Sequence, residues 1–285
     1  METKVATVIV TFNNSEGLDK LLTSLQLQEF QVNEIIVIDN ASSDNTNALI
    51  KGKYPGLTYF LMNENLGSAG GYYEGIKYAS SKNDLIWILD DDMSVFPNTL
   101  LKLVETFKKL EPKGKLGAVR CTVKPDAREF FESDDFAWRG TLISSSITKE
   151  IGYPNKDYYL YAEDLEYSTR IKKAGYKIYY SSLSKMIFSR PNQAVYTVAG
   201  LKVSFYDEPF RLYYSIRNLT YFYSKNLLII DFFHLVGYSL KILLCLLKYP
   251  IKKKGKFFSA VLYGFLNGIT SKLGKSRRFI PASNI

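Results

Sequence analysis

A single histidine, His234, serves the whole 285-residue chain, so a mechanism built on a histidine base or on several imidazole ligands has almost nothing to work with. Cysteine is nearly as scarce. Cys121 and Cys245 lie far apart and form no metal or redox motif, so buried, reduced thiols and a cytosolic face are expected. The opening METKVATVIVTF lacks the long apolar stretch of a secretory leader and reads as a first strand. No repeat at a period of about 20–50 residues recurs, which sets solenoids aside. Acids are scarce in one region only. From Phe210 onward thirteen Lys/Arg face one acid, Asp231, so this tail is +12, while the preceding body is −3 within a net charge of +9. A strongly cationic tail on a nearly neutral body points to an anionic surface for the tail alone.

What is present is a globular composition, 46% hydrophobic and 23% charged, long enough to bury a large core. The first hundred residues alternate β-rich apolar runs with helical patterns, as a parallel α/β sheet does. Strands are expected at Val5–Thr11, Glu34–Asp39, Leu57–Met62 and Leu85–Leu89. A helix capped by Ser15 carries Leu18, Leu21, Leu22 and Leu25 at helical spacing, and another runs from Tyr72 to Ser80 behind the loop NENLGSAGG, residues 63–71. Phe96–Leu110 reads as a helix opened by Pro97, Lys115–Cys121 as a fifth strand, and Phe136–Ser146 as a β-like run. A short helix with acids in its first turn starts at Glu163 and stops at Gly175, before a strand at Lys177–Tyr180. The loops that follow the parallel strands gather along the sheet's carboxyl edge, where open α/β sheets take their ligands.

The last quarter differs in kind. Arg211–Asn226 is aromatic and helical, and Asn226–Lys248 is strongly apolar but carries Asp231, His234, Tyr238, Lys241, Cys245 and Lys248 as one stripe. Charges at Asp231 and Lys241 make a single membrane crossing costly. An amphipathic helix beside the run KKKGK suits the plane of an anionic membrane surface, and packing on the body or on a second subunit is the competing use. No nucleic-acid-binding module accompanies the basic residues.

The chemistry concentrates at LIWILDDDM. Asp90, Asp91 and Asp92 follow a buried strand without a break, and carboxylates crowded there resist joint ionisation unless a hard divalent cation relieves them. Asp39, at the end of the second strand, is placed either to accept from the N3–H of a pyrimidine base or to cap the next turn. Thr11 and Phe12 end the first strand, where a nucleotide would meet backbone groups and a ring. Gly67, Gly70 and Gly71 permit close approach of backbone, to a ligand or to the sheet.

Taken in order, VIVTFNN, VIDNASSD, NENLGSAGG, LDDDM and YAEDLEYSTR resemble family 2 glycosyltransferases of the GT-A fold over about Val5–Arg217. GSAGGYYEG and RNLTYF are similar to bacterial galactofuranosyl- and rhamnosyltransferases. The resemblance implies a Rossmann-like GT-A domain over residues 1–209 and a basic helical region over 210–285 for membrane association or oligomerisation. It implies an inverting transfer from a UDP- or dTDP-sugar, with Asp164 or, in competition, Glu163 as base. Thr11, Phe12, Asp39, Asn65, Gly70, Asp90 and Asp91 would hold the donor, Asp91 facing its sugar or ribose. Trp138 and Arg139 would line the acceptor side, and Asp90 and Asp92 would hold Mn²⁺ or Mg²⁺. Many relatives add a histidine ligand about two dozen residues past the ED pair, and none stands near Met186–Ser189 here. Arg190, Arg211 and Arg217 are candidate phosphate partners or structural cations. The implied acceptor is a growing glycan carried on a lipid diphosphate, and the implied place is the cytoplasmic face of the membrane, bound peripherally. A binding protein that has kept the fold and lost turnover is the alternative; a sugar-nucleotide pyrophosphorylase would need its glycine loop directly after the first strand, where this chain has TFNNSEG.

Overall fold

β1 (Val5–Thr11) is an unbroken apolar run, and it sits where such a run must, mid-sheet with both faces covered. The computed structural model describes residues 3–122, 127–188 and 193–280, which divide into two units. Unit 1 comprises Met1–Lys156 and Asp164–Ser189; unit 2 comprises Asp157–Glu163 and Arg190–Ile285.

In unit 1, β2 (Glu34–Asp39) and β4 (Leu85–Asp90) flank β1, parallel to it, and β3 (Thr58–Leu61) extends the sheet beyond β2. The crossovers are α1 (Ser15–Gln26), α2 (Thr46–Lys53) and α3 (Gly67–Ser80). The chain continues through β5 (Met93–Val95), α4 (Thr99–Leu110), β6 (Leu116–Thr122), β7 (Phe130–Ser133), β8 (Thr141–Ser144), α5 (Ile147–Ile151), α6 (Glu163–Lys173) and β9 (Lys177–Phe188). The sheet order is β3-β2-β1-β4-β8-β6-β9-β5, with β7 on β9. The sheet is mixed, since β8 runs against both β4 and β6. Alternate strand residues feed two cores. Ile9, Val37, Trp87 and Leu89 meet α1 and α4 on one face; Val8, Ile38, Ile86 and Ile88 meet α3 and α6 on the other.

Registers Thr11↔Asp39 and Val10↔Asp90 place the carboxyl ends of three strands along one edge. Several local readings shift. The cap of α1 is Asn14, whose side chain accepts from the Gly17 N–H at 3.3 Å, and Pro97 stands just before α4 instead of inside it. The glycine-rich stretch is not a loop before a helix; α3 begins five residues early, at Gly67. Packing explains the choice. A Cβ on Gly71 would fall 2.5 Å from Val10, and one on Gly75 2.4 Å from Val8, so these glycines let α3 lie directly on β1.

Unit 2 is a hairpin of β10 (Gln193–Val198) and β11 (Leu201–Tyr206) with α7 (Pro209–Lys225), α8 (Ile229–Lys248) and α9 (Lys254–Ile269). Its core joins Val203 and Phe205 of the hairpin to Tyr213, Tyr214, Ile242, Leu246, Phe257 and Val261. The hairpin thus shares a core with the helices, and a boundary at residue 209 would cut through it. Gly268 of α9 approaches α7 so closely that a Cβ there would meet the Arg217 carbonyl at 2.6 Å.

Arg217 and Asn218 of α7 are 1% and 0% exposed. The Asn218 amide donates to the carbonyls of Tyr158 (2.9 Å), Leu160 (2.7 Å) and Tyr161 (2.7 Å), while its own oxygen accepts from Arg217 Nε at 2.8 Å. Arg217 also donates to the carbonyls of Tyr158 (2.7 Å) and Gly274 (2.5 Å). The clasped segment needs holding, because Tyr159, Tyr161 and Ala162 all have left-handed backbone, at φ of 63°, 70° and 63°.

Candidate active site

β4 ends at Asp90, and its carboxylate is already engaged on both oxygens. Tyr72 of α3 donates its hydroxyl to Oδ1, and Arg139 Nε lies 3.2 Å from Oδ2. The chain turns immediately, and the turn carries Asp91 back beneath the end of β1. There Oδ2 accepts from the Thr11 hydroxyl at 2.7 Å and from the Phe12 N–H at 3.4 Å, while Asn14 binds the Asp91 carbonyl at 3.2 Å. Asp91 was expected to face the donor sugar or ribose; its side chain is instead spent on fixing the β1–α1 corner. Burial pushes its carboxyl up to about 7, against the pull of the Thr11 and Asn14 contacts, with Asp92 and Asp90 adding repulsion. Asp92 lines an open cleft of about 350 Å³ with Asn14, Lys20, Ser94 and Phe188 among its walls.

Thr11 and Phe12 therefore meet the triplet directly. Asp39 is buried at the end of β2, where Oδ1 accepts from the Ser42 N–H at 2.7 Å and Oδ2 from the Tyr59 hydroxyl at 2.6 Å. Of the two roles open to it from sequence, the turn cap is the one its contacts show, and both oxygens are engaged within the protein. Asn65 accepts from the Gly67 N–H at 2.8 Å and so fixes the start of α3. Gly70 lies within that helix, where a Cβ would fall 2.5 Å from the Leu66 Cβ; its place is a packing position, not a loop.

Asp164 opens α6 together with Glu163, and its Oδ1 accepts from the Leu165 N–H at 2.8 Å. Burial raises its carboxyl to about 6; the Leu165 contact opposes this, Asp90 raises it further and Arg120 lowers it. Asp90, Arg120 and Asp164 thus share one field, although β4, β6 and α6 supply them separately. Glu163 is also buried. Arg120 donates from Nε to the Arg139 carbonyl at 3.2 Å and from Nη1 to the Tyr180 hydroxyl at 2.5 Å.

Trp138 and Arg139 part company. Trp138 is 3% exposed and packed against Tyr72, Phe136 and Tyr167, so in this structure it offers no ring face to an acceptor. Arg139 reaches Asp90 instead. Of the other arginines, Arg211 pairs with Glu208 at 2.9 Å and the Tyr161 hydroxyl at 2.7 Å, and Arg217 is the buried clasp described above. Both are structural cations; Arg190 lies outside the described residues. Sequence reasoning missed Tyr72, Arg120 and Asn218. Tyr72 stood within a quoted motif, GSAGGYYEG, but nothing in its spacing marks a partner on β4.

The donor set at the triplet is hard oxygen throughout. Among the described residues no cluster of three or more His, Cys, Asp or Glu forms a cage for a metal. Two carboxylates still fit a small divalent cation that keeps waters and takes its remaining ligands from substrate phosphates. Asp90 and Asp92 would be the residues to hold such a cation, with Asp90 paired to Arg139 in this structure.

Parallel strands ending in carboxylates along one edge, flanked by helices, make the architecture of the GT-A transferases, and solved structures of that class share the fold. A mannosyltransferase from Pyrobaculum calidifontis, solved with GDP-mannose and Mn²⁺, matches with a TM-score of 0.62 at 15% identity, over 95% of this chain and 88% of its own. The Staphylococcus aureus protein TarS, residues 1–349 with UDP, matches with a TM-score of 0.53 at 16% identity, over 94% of this chain and 72% of its own. The family model for glycosyl transferase family 2 covers residues 7–159, more than half of the chain, and the chain belongs to that family. Among curated relatives, a poly-β-1,6-N-acetyl-D-glucosamine synthase of Staphylococcus aureus is 29% identical over 203 residues, 62% of this chain and 48% of the relative. The galactofuranosyltransferase GlfT1 of Mycolicibacterium smegmatis is 22% identical over 199 residues, 60% of this chain and 66% of the relative. The chain spans about half the length of the synthases it matches.

Proposed function

We propose that the protein is an inverting glycosyltransferase that moves a sugar, galactofuranose or rhamnose in preference, from a UDP- or dTDP-sugar to a glycan in cell-surface polysaccharide synthesis. The observation that carries the reading is Asp164, a carboxyl raised to about 6 at the start of α6 and electrostatically tied to Asp90 at the strand edge. A base must be ionised at working pH yet basic enough to take a hydroxyl proton, and a carboxyl near 6 meets both demands. Asp164 would take the acceptor proton on the side away from the leaving diphosphate, with Glu163 beside it as the competing base. Asp39, Asn65, Thr11 and Phe12 would set the nucleotide along the carboxyl edge. Mn²⁺ or Mg²⁺ held by Asp90 and Asp92 would neutralise the leaving diphosphate. The test is turnover by the unaltered protein across a panel of UDP- and dTDP-sugars with Mn²⁺ or Mg²⁺. Release of nucleotide with at least one donor is expected; its absence with all of them would leave the fold-retaining binding protein as the reading.

The acceptor reading, a glycan on a lipid diphosphate at the cytoplasmic face of the membrane, draws its support from α8. Among the described residues α8 is the one helix long and apolar enough to cross a bilayer, but one side of it is built into the core through Leu235, Ile242, Cys245 and Leu246. The opposite side exposes Ile230, Phe233, Leu240, Leu244 and Leu247 at helical spacing, and exposed Lys252, Lys253 and Lys256 follow. A helix with one face in protein and one bare apolar face suits the interfacial plane. Truncation before Phe257 would remove α9 from the core and confuse unfolding with release, so charge reversal is the cleaner probe. Replacing Lys252, Lys253 and Lys256 by Glu should cut binding to phosphatidylserine vesicles by at least ~100-fold, at about 1 kcal/mol per basic residue. Unchanged sedimentation with those vesicles would exclude this anchor, and dimers in light scattering would assign the stripe to a second copy.

A further inference from the structure

Arg139 is held in two contrasting ways. Its backbone is pinned. Gly140, at φ +73°, has no room for a Cβ, which would lie 2.7 Å from the Met186 sulfur and 3.0 Å from Cys121, and its N–H donates to the Ile88 carbonyl at 2.9 Å. The Arg139 carbonyl is taken by Arg120. The side chain, about a quarter exposed, pairs with Asp90, its Nε 3.2 Å from Oδ2, a longer approach than the charge-assisted bonds of about 2.7–2.9 Å by which a guanidinium is locked on a carboxylate. Its flat face rests over Phe188, 4.6 Å from the ring centroid, and Phe188 is also a wall of the cleft that Asp92 lines. The cation therefore neutralises one of the two carboxylates expected to hold a metal, and it rests on a ring that walls the cleft lined by the other.

Guanidinium and phosphate are matched in shape and charge, and a partly exposed ion pair at 3.2 Å is a weak competitor for such a ligand. We propose that Arg139 is a ligand of the donor's diphosphate, parked on Asp90 until a nucleotide arrives. The inference rests on the donor reading above and deepens it. While parked, Arg139 occupies the oxygen that a cation would use, so metal alone binds poorly. A diphosphate draws the guanidinium away and exposes Asp90, so nucleotide and metal favour each other, and by linkage each raises the other's affinity by the same factor. Arg139 then belongs to the donor side and not to the acceptor side.

Titration calorimetry with Mn²⁺ alone, UDP alone and UDP in the presence of Mn²⁺ tests this on the full chain. In the parent protein the two ligands should promote each other by about 5–150-fold. In Arg139→Gln, Mn²⁺ alone should bind about tenfold more tightly and UDP with Mn²⁺ about 10–100-fold more weakly, so the coupling shrinks. Unchanged Mn²⁺ affinity overturns the parking, and unchanged UDP affinity overturns the diphosphate contact. If Arg139→Gln fails to fold, Arg139→Lys keeps the charge and loses the fork; UDP should then weaken about tenfold with Mn²⁺ binding unaltered, and wild-type UDP affinity would overturn the proposal. A parent protein that binds none of UDP, dTDP or GDP with Mn²⁺ sinks the donor reading itself, whereas a parent that binds and a variant that behaves identically sinks only the role of Arg139.

Discussion

Asp164→Asn should lower kcat by about 10²–10⁴-fold, the usual weight of a general base, while leaving UDP affinity with Mn²⁺ within about twofold. The amide preserves the acceptor oxygen for the Leu165 N–H and changes only the ability to take a proton. In the parent enzyme, kcat/KM should climb about tenfold per pH unit below about 6 and level off above it, and the variant's residual rate should lose that limb. Stability gives an independent check, and its sign is opposite to that of a salt-bridged acid. The folded carboxyl is raised above its ordinary 3.8, so between about 4 and 6 the native state binds more protons than the unfolded one, and stability falls as pH rises through that window. Above it the ionised carboxylate is a burden that Asn removes, so the variant should melt at a higher temperature than the parent at pH 7.5. An inactive variant with lowered Tm would point to lost structure, and an active one would hand the role to Glu163.

The second large effect is on the fold. Asn218→Ala removes the amide that binds three carbonyls of the 158–161 segment; Tyr158 keeps Arg217 and the Leu160 N–H as donors, while the carbonyls of Leu160 and Tyr161 are left short, at about 1–3 kcal/mol each. A total loss of about 3–5 kcal/mol is expected in urea denaturation, enough to consume much of an ordinary domain's stability. Asn218→Asp discriminates the cause. It fills the same volume and can still accept from Arg217, but it cannot donate to carbonyls. It should therefore be about as damaging as Ala, and a variant as stable as the parent would show that shape, not donation, is what the position requires.

The strands β1, β2 and β4 and their carboxyl edge are legible because each is a short apolar run that stops at a polar residue. Asp39, Asp90 and Asp164 are singled out by their neighbours in sequence. What could not be read are relations between distant residues. Tyr72 and Arg139 meet at Asp90 from α3 and from the turn before β8, 18 residues before it and 49 after. The glycines of α3 look like loop residues by propensity, yet close contact with Val8 and Val10 makes them helical. Arg217 looks like a surface cation in a basic tail, and only the three-dimensional supply of carbonyl acceptors allows it to be buried. Trp138 carried no signal that would separate a core ring from a binding ring.

The course of the chain has one more consequence. It leaves unit 1 after Lys156, lends residues 157–163 to unit 2, returns at Asp164 and crosses again after Ser189. With three covalent crossings, unit 2 is not a cassette that can be appended, deleted or exchanged at one junction. A chimera joined only near residue 190 would part Arg217 and Asn218 from the backbone they bind, and would deliver Glu163 and Asp164 on a segment whose left-handed residues nothing restrains. Exchanging the helical unit therefore means exchanging the seven-residue insert with it, so the segment that leads directly into Asp164 changes whenever that unit does.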